Sequence, residues 1–162
     1  MAFSPTAERL ITGCVAWSGD AGSFAGLQSF DFKGSGETQY AFSDNPPHWT
    51  GLAVSPDGQF LVAAYSRAKS SAAAGVWNLQ TGQFLCSLPA ARVSAAINAA
   101  FTSDGERLVT SHYEGICVWS TKTWKLVSKI KGQGRMALSS DDRFIAYQNG
   151  KEVWVREFSK VV

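Results

Sequence analysis

Few residues in this sequence could take part in acid–base or nucleophilic chemistry, and they do not cluster. The chain has two histidines, His48 and His112, which lie far apart with no acidic cluster around either. A nucleophilic site needs a base with an orienting partner, and a metal site needs several ligands close together. We therefore predict no catalytic residue, no metal site and no cofactor, and we interpret His112 as a structural or partner-contacting residue.

The acidic residues that recur are explained by backbone geometry rather than by catalysis. They occupy equivalent places in short turns, and they are Asp57, Asp104, Asp141 and Asp142. An aspartate in a turn accepts hydrogen bonds from backbone amides just downstream, which stabilises the turn. The Gly132-Gln133-Gly134 segment is not predicted to bind phosphate, because no helix follows whose N-terminus could hold an anion.

A four-fold internal repeat organises the chain. Segments 4–11, 55–62, 102–109 and 139–146 align without a gap, and each has a Ser or Thr, a turn and then an apolar run. One aromatic residue follows each segment at the end of a further short strand, and these residues are Phe30, Trp77, Trp119 and Trp154. Asp-Gly turns between runs of alternating apolar and polar residues indicate β-hairpins. A repeat period of about 40 residues is typical of propeller blades.

Several of these segments resemble the WD-repeat β-propeller family. They are the Ser-Pro-Asp-Gly turn at 55–58, the strands at 76–79 and 117–120, and the Gln-Thr-Gly-Gln turn at 80–83. The resemblance implies an all-β fold: a β-propeller or half-propeller of about four four-stranded antiparallel blades, the first and last incomplete. The expected blades of this single arc are approximately 1–45, 46–92, 93–132 and 133–162. Because propellers usually close with about four to eight blades, we expect the arc to self-associate or to complete a larger propeller.

No copy keeps the Trp-Asp dipeptide of that family, since Trp77-Asn78, Trp119-Ser120 and Trp154-Val155 stand in its place. We therefore expect the blades to depend less on the family's Asp-His-Ser/Thr-Trp hydrogen-bond network and more on apolar packing. The four repeated aromatic residues are expected to fill the gaps between neighbouring blades. Residues 43–49 and 72–74 are expected to form loops.

The longer connections should lie together on one rim of the arc. In an antiparallel four-stranded blade, the loop after the second strand and the loop into the next blade leave the sheet at the same end. Irregular loops on a rigid scaffold commonly carry the binding residues. We therefore predict a partner-binding surface that includes Trp17, Asp20, His48, Trp49, Arg67, Lys69, Arg92 and His112.

The resemblance implies a non-enzymatic scaffold for protein–protein interactions within a larger complex or a longer chain. Two alternatives stay open. One is a propeller that binds a small ligand or a carbohydrate by stacking on Trp17 or Trp49, and the other is a lactonase-like or hydrolase-like propeller enzyme. The enzyme would need acidic or histidine residues on the innermost strands, which 52–54, 97–101 and 136–138 do not supply.

Composition narrows the partners and the compartment. The net charge of +2 creates no strong field for nucleic acid or an anionic membrane, so neither is expected as a partner. No run approaches the roughly 20 apolar residues of a membrane helix, and the N-terminus lacks the pattern of a signal peptide. The chain has an odd number of cysteines, Cys14, Cys86 and Cys117, and none of them forms a C-x-x-C pair. We therefore predict buried free thiols in a reducing compartment, the cytoplasm or the nucleus.

Overall fold

The computed structural model of the chain describes residues 1–5, 8–15, 25–31, 37–40, 48–66, 72–89, 96–113 and 115–160. Within them lie four antiparallel sheets, in each of which every strand pairs with the next along the chain. Sheet 1 contains β1 (Ala2–Phe3), β2 (Arg9–Val15), β3 (Ala25–Asp31) and β4 (Glu37–Tyr40). Sheet 2 contains β5 (His48–Val54), β6 (Phe60–Ser66), β7 (Ala72–Asn78) and β8 (Phe84–Pro89). Sheet 3 contains β9 (Ala96–Phe101), β10 (Arg107–His112), β11 (Gly115–Ser120) and β12 (Leu126–Ile130). Sheet 4 contains β13 (Gln133–Leu138), β14 (Phe144–Asn149) and β15 (Glu152–Glu157).

The predicted fold class is confirmed. The described chain is almost entirely β, and its four sheets follow one another in an open arc. The first sheet begins with a two-residue strand, and the last has three strands followed by a short 3-10 helix, Phe158–Lys160. Among the described residues no helix is long and apolar enough to cross a membrane.

The turn between the first and second strands is built from the same hydrogen bonds in three sheets. In sheet 3, Thr102 Oγ1 donates to Asp104 Oδ1 at 2.6 Å and accepts from Arg107 N at 3.0 Å. Asp104 Oδ1 also accepts from Glu106 N at 2.8 Å. The same bonds are made by Ser55 with Asp57 and by Ser139 with Asp141. The recurring aspartates are thus turn formers, as predicted.

The residue after each of these aspartates takes a left-handed backbone conformation. Gly58 and Gly105 both have φ of 70°, which glycine adopts without steric cost. Sheet 4 has Asp142 at the same place, with φ of 55°. The carboxylate of Asp142 accepts a hydrogen bond of 2.6 Å from Ser103 N, so this residue also links sheet 4 to sheet 3.

Residues that pair across neighbouring strands form two repeated rows in every sheet. We call one of them the inserting row, because it packs into the preceding sheet. In sheets 1 to 4 it is Phe3–Leu10–Phe30, Val54–Leu61–Trp77, Phe101–Leu108–Trp119 and Leu138–Ile145–Arg156. We call the other the receiving row, and in sheets 1 to 4 it is Ala2–Ile11–Ser29, Ala53–Val62–Val76, Ala100–Val109–Val118 and Ala137–Ala146–Val155. Successive side chains of a strand point to opposite faces, so the two rows of sheets 2 and 3 face their two neighbouring sheets.

Each inserting row packs on the receiving row of the preceding sheet, and we call this contact a joint. The joints contain Leu61 and Trp77 with Ile11, Leu108 and Trp119 with Val62 and Val76, and Ile145 with Val109 and Val118. Side-chain hydrogen bonds also tie the innermost strands together. Thr50 Oγ1 donates to Ala96 O at 2.5 Å, and Asn98 Nδ2 donates to Met136 O at 3.1 Å. Three joints of one kind therefore hold the four sheets together.

The repeated aromatic residues fill the joints in sheets 2 and 3. Trp77 is fully buried and Trp119 is 2% exposed, as predicted. The Trp77 indole lies back over Gly75, where an added Cβ would overlap Cη2 and lie 2.7 Å from Cζ3. Phe30 has the same place in its row but is 40% exposed, so the prediction that it fills a gap between blades is wrong. The reason is that no described sheet precedes sheet 1.

Trp154 does not stand at the position predicted for it. It pairs with Tyr147, whereas Ile145 pairs with Arg156, so the sequence alignment of Trp154 is wrong by two residues. The cause is the short hairpin turn, because Asn149 pairs with Glu152 and the turn length fixes the register of the strands. The indole still packs against the core between sheets 3 and 4, and the Arg156 guanidinium lies 4.5 Å from its ring centroid.

Two predicted loops belong partly to strands. His48 and Trp49 begin β5, where they pair with Ser66 and Tyr65. Residues 72–74 begin β7, where Ala74 is buried in the core between sheets 2 and 3. Alanine has low intrinsic strand propensity, but a small side chain fits a tightly packed sheet face, and packing decides the outcome here.

Candidate functional site

The turn aspartates are not suited to proton transfer. Hydrogen bonds from the Thr102 hydroxyl and the Glu106 amide lower the pKa of Asp104. Hydrogen bonds from the Ser139 hydroxyl and the Arg143 amide likewise lower the pKa of Asp141. A carboxyl group that acts as a general acid near neutral pH needs a raised pKa, which is the opposite shift. These groups therefore stabilise turns.

Sheet 3 contains a buried polar network of three side chains. Trp119 Nε1 donates to Thr110 Oγ1 at 2.9 Å, and the same oxygen lies 2.9 Å from His112 Nε2. All three residues are buried. The expectation that the blades depend less on such a network is therefore corrected for sheet 3, where a histidine within the strand takes part. At the aligned positions sheet 2 has Ala63 in place of Thr110, so the network is not repeated there.

The backbone brings two of the predicted rim residues to the same end of their sheets. His48 pairs with Ser66 where β5 begins and β6 ends, and His112 pairs with Ala96 where β9 begins and β10 ends. The His112 ring, however, is only 4% exposed and bonded to Thr110, so burial favours a packing role over the surface contact predicted for it.

The structure does not test the other rim predictions. Only the backbone of His48 and Trp49 is described. Five residues lie outside the described part of the chain, and they are Trp17, Asp20, Arg67, Lys69 and Arg92. The partner-binding surface on this rim stays a prediction.

Cys86 and Cys117 are free thiols. Cys117 is buried and Cys86 is half-buried, and burial raises the pKa of both. A raised pKa reduces the thiolate fraction, which is the nucleophilic and metal-binding form. Among residues whose positions the structure gives, no three His, Cys, Asp or Glu side chains are grouped to hold a metal ion.

Two outer strands expose large apolar side chains that the sequence analysis did not select. Phe84 and Leu85 begin β8, Leu126 and Val127 begin β12, and all four are between 40% and 50% exposed. We call these four residues the outer-strand patch. Phe84 pairs with Trp77 and Leu126 pairs with Trp119, so the two halves of the patch are repeat equivalents. The signal in the sequence is two consecutive apolar residues at the start of an outer strand. The register of both strands shifts there, beside Trp77 and Trp119.

A shallow groove of about 250 Å³ adjoins the patch at Val127. Its other lining residues are Glu106, Arg107, Ser120 and Lys122. Lys122 Nζ lies 2.6 Å from Glu106 Oε1, and this hydrogen bond raises the pKa of the ammonium group. The groove therefore combines an apolar edge with an exposed pair of opposite charges.

Comparison with known proteins identifies solved structures of similar fold but no protein family. No protein-family model matches the chain, and no curated protein matches its sequence. Among solved structures, 668 chains match it. One is the Kuenenia stuttgartiensis Hydrazine Synthase, with a TM-score of 0.73 and 16% identity over 98% of this chain and 45% of that chain. At this identity the similarity shows the fold alone, and this chain spans less than half the length of that structure.

Proposed function

We propose that this chain is a non-enzymatic platform for protein partners, built as an arc of WD-repeat-like propeller blades within a larger complex or a longer chain. The observation that carries the proposal is the outer-strand patch. Neighbouring exposed apolar side chains, here the pairs Phe84–Leu85 and Leu126–Val127, mark sites of protein contact more often than single ones do. The patch adjoins the Glu106–Lys122 groove, and an apolar centre with a polar rim is the usual composition of a protein interface.

The mechanism is rigid display of surface residues. The two strands of the patch pair with β7 and β11, with a register shift beside Trp77 and Trp119, and a joint holds sheets 2 and 3 against each other. Trp124, just before β12, packs edge-on against Phe60 of sheet 2 with ring centroids 5.1 Å apart. A surface that is already ordered loses little conformational entropy when a partner binds.

The proposal extends to the long-loop rim and to the cellular setting. The rim residues carried over from the sequence prediction are Trp17, Asp20, His48, Trp49, Arg67, Lys69 and Arg92. The partners are proteins rather than nucleic acids or membranes, consistent with the net charge of +2. The free thiols Cys86 and Cys117 support a reducing compartment, the cytoplasm or the nucleus.

The test compares proteins captured by immobilised chains from a lysate of the source organism. The patch variant is Leu85→Lys/Val127→Lys, and the rim variant is Arg67→Glu/Lys69→Glu/Arg92→Glu. The matched control, Gln59→Lys/Ser140→Lys, adds the same two positive charges as the patch variant but on exposed positions of the tight turns. Captured proteins are quantified by mass spectrometry, and each folded variant is checked by circular dichroism.

We expect the patch variant to lose at least one specific partner by about tenfold, which corresponds to about 1.4 kcal/mol of binding free energy. The control should capture that partner like the wild type. If both the patch and rim variants capture the same proteins as the wild type, the platform assignment is refuted.

A further inference from the structure

The outer edge of sheet 3 has an open strand edge and an excess of positive charge. β12 is the last strand in the order β12-β11-β10-β9, so β11 is its one paired neighbour in the described chain. In an antiparallel pair, every second residue directs its backbone N–H and C=O groups away from the neighbouring strand. The outer side of β12 is therefore an edge with which a further extended segment can pair.

The charge along this edge is positive throughout. Residues 121–131 contain four lysines and no acidic residue, whereas the whole chain has 15 Lys and Arg against 13 Asp and Glu. All four lysines are exposed, and they are Lys122, Lys125, Lys129 and Lys131. Within the part of the chain that the structure describes, Lys122 pairs with Glu106 and the other three form no ion pair. Three cations at this edge thus have no acidic partner among the described residues.

The same edge offers an apolar contact beside the charges. Leu126 and Val127 are 42% and 50% exposed. Val127 also lines the groove of about 250 Å³, whose charged lining residues are Glu106, Arg107 and Lys122. A segment that pairs with a sheet edge gains affinity from main-chain hydrogen bonds and specificity from pockets for alternate side chains. Because Val127 belongs to β12, the groove can receive one side chain of an added strand.

The repeat-equivalent strand of sheet 2 differs from β12 in charge. Phe84 and Leu85 of β8 are exposed, as Leu126 and Val127 are in β12. Residues 83–89, however, contain no charged residue, and β8 ends at Pro89, which has no backbone N–H to donate. The two outer strands therefore share apolar exposure, and the lysines distinguish the edge of β12.

We propose that β12 binds an extended acidic segment of a protein partner, which adds to sheet 3 as a further strand. Its carboxylates contact Lys125, Lys129 and Lys131, and one of its apolar side chains enters the groove at Val127. Opposite charges on neighbouring strands stabilise their pairing, and like charges oppose it. The inference rests on the proposed platform function and names the chemistry of the partner at the outer-strand patch.

Charge decides between this occupant and two others. A second copy that paired edge to edge through β12 would bring the lysines of both copies together, and lysines on edge strands oppose such pairing in natural sheets. A nucleic acid would match the lysines, but it has no peptide backbone to pair with a strand edge. An extended acidic segment with alternating apolar residues matches the charge, the edge and the groove together.

The first test measures the binding of short fluorescein-labelled peptides by fluorescence anisotropy. One peptide alternates glutamate with valine, and its control alternates lysine with valine. We expect the glutamate peptide to bind at least about tenfold more tightly, which corresponds to a difference of one decade in Kd. Amide exchange measured by mass spectrometry should slow in the segment that contains β12 when this peptide is bound.

Two N-methylated forms of the glutamate peptide test the main-chain pairing. One carries its methyl groups on the glutamate amides and the other on the valine amides. Alternate amides of a strand point to opposite edges, so the methyl groups of only one form face β12. That form should lose at least about tenfold in affinity, whereas the other should bind like the unmethylated peptide. Equal affinity of all three peptides overturns the strand-addition proposal.

Two charge-reversal variants test the role of the lysines. Lys125→Glu/Lys129→Glu should weaken binding of the glutamate peptide at least about tenfold. The matched control is Lys151→Glu/Lys160→Glu, which reverses two exposed lysines in or after sheet 4 and should bind like the wild type. Circular dichroism establishes that both variants are folded. An equal loss in both variants shows that only the net charge matters and overturns the proposal.

The remaining outcomes separate this inference from the platform function. No saturable binding of the glutamate peptide overturns the inference, and the lysines then serve only to prevent pairing of the edge. Binding of a thymidine oligonucleotide that depends on Lys125 and Lys129, without binding of the peptide, overturns it in favour of a nucleic-acid site. In either case the platform function stands if the patch variant still loses a captured protein, and it fails separately if neither the patch nor the rim variant does.

Discussion

Trp119 Nε1 and Thr110 Oγ1 lie 2.9 Å apart on the paired strands β11 and β10, in the middle of the joint between sheets 2 and 3. The hydrogen bond holds the indole in the orientation that packs against Val62 and Val76 of sheet 2. The same oxygen lies 2.9 Å from His112 Nε2. A buried hydroxyl group thus links the packing of the joint to the end of β10.

Replacing Thr110 by Val should destabilise the fold without changing side-chain volume. Trp119 Nε1 would lose its acceptor, and a buried donor left without a bond costs about 1–3 kcal/mol. Thr110→Ser keeps the hydroxyl and is the matched control. Urea unfolding measures the difference, and equal stabilities of the Val variant and the wild type would show that the bond contributes nothing.

Gly75 makes room for the indole of Trp77, and Gly75→Ala should therefore destabilise the chain. A Cβ at this position would overlap the ring inside a fully buried joint. Overpacking of this kind costs about 1–3 kcal/mol, although alanine alone would favour the strand over glycine. The control is the double variant Gly75→Ala/Trp77→Phe, whose smaller ring should remove part of the clash. Strictly additive effects in a thermal unfolding cycle would argue against this explanation.

The stability of the sheet 3 turn should depend on pH through Asp104. Its pKa is lowered in the folded chain, chiefly by the Thr102 hydroxyl and the Glu106 amide. Above the unfolded value of about 3.9 the carboxylate is ionised in both states, and its contribution is complete. As pH falls below that value, the unfolded chain binds the proton first, so stability decreases until the folded pKa is passed.

Asp104→Asn keeps a side-chain acceptor and removes the titration, so its stability should fall less steeply than that of the wild type below about pH 4. The double variant Asp104→Asn/Asp141→Asn should fall less steeply still, because hydrogen bonds lower the pKa of Asp141 in the same way. Urea unfolding at a series of pH values measures the slopes. Parallel curves for all three proteins would contradict the prediction.

Asp142 combines an unfavourable backbone conformation with a bond between sheets, and two substitutions separate these effects. Asp142→Ala loses the 2.6 Å bond from Ser103 N and keeps the positive φ. Asp142→Gly loses the same bond but relieves the backbone. We expect the Gly variant to be more stable than the Ala variant by about 1 kcal/mol in thermal unfolding. The reverse order would show that the left-handed conformation is not a cost here.

Much of the fold could be predicted from the sequence because its signals are local. Asp-Gly turns require a positive φ, and the structure has it at Gly58 and Gly105. The alternation of apolar residues around Leu61 and Leu108 predicted the strands and the buried core. The repeat then predicted sheets of one kind in series, which the pairing of the strands confirms.

What the sequence did not reveal depends on contacts between distant segments. The length of the hairpin turn before Trp154 sets its pairing and places it two residues away from the predicted row. The exposure of Phe30 depends on a neighbouring sheet rather than on its own strand. In the alignment of the repeats, Leu126 and Val127 look like ordinary strand residues. Their exposure follows from their place on an outer strand. The His112 network required Thr110 and Trp119 to meet across two strands.

The central claim is that each sheet is joined to the preceding one by the same pair of rows, and a double-mutant cycle across one joint tests it most directly. Leu108 and Val62 belong to the joint between sheets 2 and 3, whereas Ile145 belongs to the joint between sheets 3 and 4. In urea unfolding we expect Leu108→Ala and Val62→Ala to show a coupling energy of at least about 0.5 kcal/mol, and Leu108→Ala and Ile145→Ala to be additive within about that amount. Additive effects for Leu108 with Val62, together with strong coupling of Leu108 to Ile145, would contradict the joint arrangement.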